Sequence, residues 1–275
     1  MRVLRVLWRV PVMIVLLFAG LATIGGIFPF LGFGRREQII SVWSRLLLGT
    51  CGVRLDAMPR APGPTEPRTT GTLIVCNHIS WLDIFVVLAL KPARFVAKIE
   101  IASWPLVGLL VRGVGTLFIE RGRRHAVHQL NERIEFALNA GQCVAVFPEG
   151  TTSDGRRLLP FHANLLEPAI RSGAAVVPIG LRYLRPDGSP HEAVDFTGDT
   201  SLVASMLRIF GASRLTVRVI ELPPVHGTRR HALAAEARAA LAQALGLPTD
   251  DAIPETLQRA IRRDAAGTGG GRGSS

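Results

Sequence analysis

Lysine is nearly missing from this 275-residue chain, occurring only at Lys91 and Lys98. With 32 Lys+Arg against 21 Asp+Glu, the formal charge of +11 is therefore carried almost entirely by arginine. Such a skew fits genomic codon bias. It also fits attraction to a polyanion, whether nucleic acid, an anionic bilayer or a phosphorylated substrate. No recognisable nucleic-acid module occurs, which sets nucleic acid aside as a partner. Cysteine is scarce as well. Cys51, Cys76 and Cys143 have no CxxC spacing, and two of them sit in apolar strand-like runs. That argues against a disulfide framework and for a reducing compartment. No cysteine–histidine cluster has the spacing of a zinc site, so no metal is expected. A P-loop is excluded because no GKS or GKT follows a glycine-rich turn, and a serine-hydrolase elbow because GxSxG is absent.

Charge is also lacking between Arg9 and Arg35. That apolar run is long enough to cross a hydrocarbon core as a helix and long for the core of a signal peptide. Arg2, Arg5 and Arg9 precede it and Arg35, Arg36 and Arg45 follow. Positive charge on both flanks fits a single crossing poorly. Gly25, Gly26 and Pro29 offer a place to break the run into a re-entrant or interfacial hairpin. The expectation is an N-terminal apolar helical membrane anchor, with spanning and re-entrant forms both open. A second stripe (Ile39, Ile40, Val42, Trp43, Leu46, Leu47) reads as an amphipathic helix lying in the interface.

Beyond it, residues 59–70, "PRAPGPTEPRTT", read as a linker. Apolar strand candidates follow at 72–76, 94–97, 115–119, 143–147, 175–182 and 215–221. Helical stretches alternate with them at 81–90, 100–112, 123–140, 162–172, 201–210 and 230–245. Alternation of this kind predicts an α/β domain with a largely parallel central sheet flanked by helices. Continuous apolar strands predict that both sheet faces are covered. The chain divides into N-terminal membrane-associated helices at 1–58, the linker, a main domain at 71–246, and a C-terminal extension at 247–275 with a low-complexity tail.

In an open α/β sheet, ligands gather beyond the carboxyl ends of the strands. Three strand candidates place polar residues there: Asn77 and His78, then Glu120 and Arg121, then "PEGTTSDG" from Pro148. In "NHISWLD", Asp83 can orient His78 as a base for a substrate hydroxyl. Equally, Ser80 and Asp83 form a capping-box-like helix start. The two readings are compatible. Arg121 can fork onto a phosphate or be a solvated charge. Glu149 is either a solvated turn carboxylate or a group that orients the site, and Gly150 and the threonines allow close approach to a phosphate. A Cys76 acyl-enzyme is a lesser alternative, since Cys76 continues a buried run.

Taken in order, "NHISWLD", "GTLFIER", "FPEGTTS" and "VVPIGL" resemble the four motifs of the 1-acyl-sn-glycerol-3-phosphate acyltransferase family, over about residues 70–185. The resemblance implies a glycerolipid acyltransferase-like domain. It further implies transfer of a fatty acyl group from an acyl carrier protein or coenzyme A thioester to the free hydroxyl of a lysophospholipid, usually lysophosphatidate, giving phosphatidate. No metal, other cofactor or covalent intermediate is implied. On this resemblance His78 is the general base and Asp83 its orienting partner. Gly115 and Arg121 bind the acceptor phosphate, Glu149, Gly150 and Thr151 complete the acceptor site, and Pro178 shapes the fourth motif. The N-terminal helices hold the site against the anionic cytoplasmic face of the inner membrane. One departure leaves the role of 161–164 open: many members carry a stretch like "FKxGA" where this chain has "FHANLLEPA". Two alternatives stand beside the main reading. One is acylation of another lysolipid, such as lyso-ornithine lipid or a lysophospholipid with a head group. The other is a non-enzymatic, membrane-tethered polyanion-binding protein.

Overall fold

The computed structural model describes residues 1–58, 70–120, 124–198 and 200–249, with Arg124 as backbone only. Arg121, most of the expected linker and most of the C-terminal extension lie outside the described residues. The rest forms a three-layer α/β sandwich, as the alternation predicted. Its sheet has the order β1-β7-β6-β2-β5-β3-β4. The strands are β1 (Val53–Ala57), β2 (Thr72–Cys76), β3 (Arg94–Lys98), β4 (Leu117–Ile119), β5 (Cys143–Val146), β6 (Ala175–Leu184) and β7 (Leu215–Glu221). All neighbours are parallel except β6 and β7.

Successive side chains of a strand point to opposite faces, and β2 shows why its run is apolar throughout. Ile74 and Cys76 enter the core beneath α2 (Phe33–Thr50), α3 (Leu82–Leu90) and α7 (Leu202–Gly211). Leu73 and Val75 enter the core beneath α5 (Arg124–Asn139), α6 (Glu167–Ser172) and α8 (Arg230–Leu245). A strand sealed on both sides leaves only its carboxyl end for chemistry.

Three expectations change in detail. β1 was not anticipated: its alternation of Val53, Arg54, Leu55 and Asp56 is that of an edge strand, and a search for continuous apolar runs passes over it. The helix expected at 100–112 divides into a 3-10 turn (Ile99–Ser103) and α4 (Val107–Gly113). Pro105 pushes Trp104 into extended backbone between them. The helix expected at 162–172 becomes a 3-10 turn (Ala163–Leu166) and the short α6, with Pro168 in its first turn and Gly173 left-handed at its end.

The N-terminal run is also divided. α1 (Arg2–Ala22) passes into a π-turn at Thr23–Ile27 and a 3-10 turn at Phe28–Phe30, where Gly25, Gly26 and Pro29 fall. α2 then returns antiparallel along α1, and Trp43 Nε1 donates to the Leu16 carbonyl at 3.0 Å. Near the open end of this hairpin the Arg9 guanidinium donates to the carbonyls of Phe210 (2.9 Å) and Ala212 (3.1 Å), capping α7. Near the tip, Gly20 and Gly113 allow α4 to approach, with Ile24 packed on Gly113. The hairpin thus lies along the α/β domain. The stripe expected to face the interface is split accordingly: Leu47 is buried in the core and Ile40 and Trp43 pack on it, while Val42 and Leu46 are exposed.

Candidate active site

The site is assembled where β2 leaves the sheet. Asn77 is buried, and its side-chain amide reproduces a strand pair with β6: Oδ1 accepts from Leu181 N at 2.8 Å and Nδ2 donates to Leu181 O at 3.1 Å. That extends the β2–β6 ladder by one side chain and sets where the next residue turns over the rim. That residue is His78. Its amide donates to Glu149 Oε1 (2.9 Å), and its carbonyl accepts from Ser153 N (2.8 Å). Its ring lies flat on Phe147, with centroids 3.8 Å apart and planes 8° from parallel. Backbone on both sides and ring on one face are therefore held.

The His78 Nδ1 stands 2.9 Å from Asp83 Oδ2. Asp83 is fully buried in the first turn of α3. Its Oδ2 also accepts the amides of Ile79 (2.6 Å) and Ser80 (2.9 Å), and its Oδ1 accepts the Tyr183 hydroxyl (2.6 Å). A carboxylate surrounded only by donors requires Nδ1 to carry a proton, which places the lone pair of a neutral imidazole on Nε2. The His78 side chain is 19% exposed, and Nε2 has no protein partner among the described residues. The capping-box reading holds in part at the same time. Asp83 accepts the Ser80 amide as that motif requires, whereas Ser80 Oγ accepts from Leu82 N only at 3.4 Å.

Glu149 is not a solvated turn carboxylate. It is 2% exposed, with Oε1 on the His78 amide and Oε2 on Leu159 N at 3.2 Å. Burial pushes its pKa up to about 8, against the pull of those two backbone donors. It acts as a strut that sets His78 relative to the 158–159 segment. Gly150 follows at φ +69°, a left-handed turn where a Cβ would stand 2.8 Å from the His162 ring. Thr151 is half-buried beside it. The site thus unites His78, Asp83, Glu149, Gly150 and Thr151.

Pro178 lies below the rim, inside β6 and level with Val75. The pairing of β6 with β7 begins one residue later, at Ile179, so the missing Pro178 amide breaks no rung there. Gly115 is not brought to His78. It precedes β4 by two residues and is level with Leu73, at the amino end of the strands, where its carbonyl accepts from Arg94 Nε (2.7 Å). Cys76 is sealed in the core, and burial, followed by the charges of Asp83 and Glu149, pushes its thiol well above the ordinary range. A Cys76 nucleophile does not fit this geometry. The backbone amides at the start of α3 are largely engaged and thus not free for an oxyanion: Ile79 and Ser80 on Asp83, Leu82 and Asp83 on Ser80.

Sequence reasoning gave no role to four contributors: Asn77, Phe147, Ser153 and Tyr183. Tyr183 lies 100 residues from Asp83 in sequence. The only signal for it was that it is the single tyrosine of the chain.

A mostly parallel α/β sandwich with an oriented, partly exposed histidine at its carboxyl rim defines a class of protein equipped to draw a proton from a hydroxyl. A family model described as Acyltransferase matches residues 62–182. A 1-acyl-sn-glycerol-3-phosphate acyltransferase of Neisseria meningitidis serogroup B is 40% identical over 158 residues, covering 58% of this chain and 61% of that protein. The lyso-ornithine lipid O-acyltransferase of Pseudomonas aeruginosa is 38% identical over 190 residues, covering 66% of this chain and 73% of that protein. The match to the Neisseria protein thus spans about three fifths of its length. Among solved structures, the 1-acyl-sn-glycerophosphate acyltransferase PlsC of Thermotoga maritima shares the fold, with a TM-score of 0.65 over 90% of this chain and 97% of that one, at 19% identity. The chain belongs to the 1-acyl-sn-glycerol-3-phosphate acyltransferase family.

Proposed function

We propose that the protein transfers a fatty acyl group from an acyl carrier protein or coenzyme A thioester to the free hydroxyl of 1-acyl-glycerol 3-phosphate, giving phosphatidate. The observation that carries this reading is the His78–Asp83 pair, with Nδ1 tied at 2.9 Å and Nε2 open at the rim. Nε2 takes the hydroxyl proton as the oxygen attacks the thioester carbonyl. The tetrahedral intermediate collapses, the C–S bond breaks, and the imidazolium returns its proton to the departing thiolate. Asp83 stabilises the imidazolium between these steps. No protein–acyl intermediate is needed. Arg121 remains a proposed phosphate ligand on the strength of the motif resemblance.

Acceptor and product are lipids, and the N-terminal hairpin supports delivery at a bilayer. Arg2–Phe30 is long and apolar enough to cross a membrane, and α1 exposes Leu4, Leu7, Trp8, Val15 and Phe18. Because the hairpin packs lengthwise on the domain, the proposed mode is interfacial, with the site at the cytoplasmic face of the inner membrane. A second acceptor, lyso-ornithine lipid, is favoured by the relative from Pseudomonas aeruginosa named for that activity. Purified protein in mixed micelles, offered a panel of lysolipids with each thioester, separates the two. Lysophosphatidate is expected to give phosphatidate, and its failure beside a turned-over lyso-ornithine lipid would select the second reading. His78→Ala should abolish turnover with any acceptor, and full activity in that variant would refute the mechanism.

A further inference from the structure

A cavity of about 580 Å³ opens at the β1–β7–β6 end of the sheet, and Arg54, Arg185, Arg214 and Arg218 line it with Leu184 and Thr216. Thr216 is level with Arg54 on β1 and with Leu184 on β6, which gathers the arginines at the ends of three adjacent strands. Since β6 runs parallel to β2, this is the end that carries His78. Among the described residues, no carboxylate lines the cavity. Arg218 is offset by Asp56 at 3.1 Å and Arg185 by Glu192 at 3.5 Å. Arg54 and Arg214 have neither an ion pair nor a side-chain hydrogen bond among the described residues. Four guanidinium groups around one opening repel one another unless an anion sits between them. Paired guanidinium forks match the oxygens of phosphate.

We propose that this cavity binds the phosphorylated nucleotide head of a coenzyme A thioester, an assignment that rests on the acyl-transfer reading. Its volume lies within the range of roughly 300–1,000 Å³ usual for small-molecule sites. Two uncompensated guanidinium groups, flanked by two ion-paired ones, suit a head bearing a pyrophosphate and a further phosphate better than the single phosphodiester of a carrier protein's arm. The cavity lies at the same end of the sheet as the base: Leu184, which lines it, is three residues beyond Leu181, whose backbone is held by the Asn77 side chain next to His78.

The test uses the full-length protein and a double variant, R54Q with R214N. Both side chains are exposed and have no partner among the described residues, and asparagine suits the positive φ of 50° at Arg214. Titration of coenzyme A into the wild type should show binding that the variant weakens by roughly tenfold or more. 3′-Dephospho-coenzyme A should bind more weakly to the wild type and no differently to the variant. In steady-state assays, KM for acyl-coenzyme A should rise by a similar factor while KM for the lysolipid and kcat stay unchanged. An unchanged donor KM in an enzyme that uses acyl-coenzyme A would overturn the proposal and leave acyl transfer intact. Use of acyl carrier protein alone would also overturn it. So would a variant whose one defect is loss of binding to anionic phosphatidylglycerol vesicles. Arginine-dependent coenzyme A binding in a protein that acylates no lysolipid would instead sink the acyl-transfer reading and keep the cavity assignment.

Discussion

Replacing Asp83 by asparagine separates the two things its carboxylate does, orienting His78 and carrying charge. Its Oδ2 accepts three N–H groups, from His78, Ile79 and Ser80, at 2.9, 2.6 and 2.9 Å, and Oδ1 accepts one hydroxyl, from Tyr183. An asparagine carbonyl in the Oδ2 position keeps the three N–H bonds, and its NH₂ then donates to the Tyr183 oxygen. Orientation and tautomer of His78 survive. Each retained bond weakens from a charge-assisted to a neutral one, a difference of about 1 kcal/mol. Relief of burying the charge offsets part of that sum. The net loss of stability should be about 1–3 kcal/mol, leaving the protein folded at 25 °C. Catalysis suffers more, because no charge now faces the imidazolium when the hydroxyl proton arrives. General-base assistance is worth about 10²–10⁴-fold, so kcat should fall by about 10²–10³, or about 3–4 kcal/mol of barrier. KM for the acceptor should hold within about twofold. Initial-rate assays with lysophosphatidate, together with thermal unfolding of both proteins, supply the numbers. A folded variant within about fivefold of wild-type kcat would refute the orientation-plus-charge account, and a rise in KM alone would make Asp83 a binding group.

Tyr183→Phe removes the hydroxyl from Asp83 Oδ1 and leaves that oxygen buried without a donor. Stability should drop by about 1–3 kcal/mol and kcat by a smaller factor than in Asp83→Asn, with KM unmoved. Glu149 binds its proton more tightly folded than unfolded, since its pKa is about 8 against an ordinary 4.5. Stability is therefore fully present below about pH 4.5, falls as pH rises towards about 8, and is level above it, by a few kcal/mol at about 1.4 kcal/mol per unit. Glu149→Gln should flatten that slope in melting curves taken from pH 5 to 9, and an unchanged slope would assign it to other groups. Cys76→Ala should retain most activity at a modest cost from the small cavity left in the core, and abolished turnover in a folded variant would revive the acyl-cysteine route.

Much of this protein was legible before any folding, for reasons local to the chain. Alternating apolar runs and helical stretches determined the class of fold, because burial on both faces of a parallel sheet demands continuous apolar strands. The short distance from His78 to Asp83 made their pairing readable, since both belong to one turn into one helix. Arg9 to Arg35 announced an apolar segment by the absence of charge alone. Tertiary structure decided what depends on contacts between distant segments. β1 has no identity apart from β7. Tyr183 meets Asp83, and Glu149 meets the His78 amide, only because β6 and β5 flank β2 on either side. Gly115 falls at the amino end of the strands, away from His78, because it precedes β4, which runs parallel to β3. The course of the N-terminal hairpin along the domain follows from Arg9 capping α7 and from Ile24 packing on Gly113. Local periodicity thus specifies the elements and the nearby pair, whereas hydrogen bonds and packing across long loops select the partners that hold the base in place.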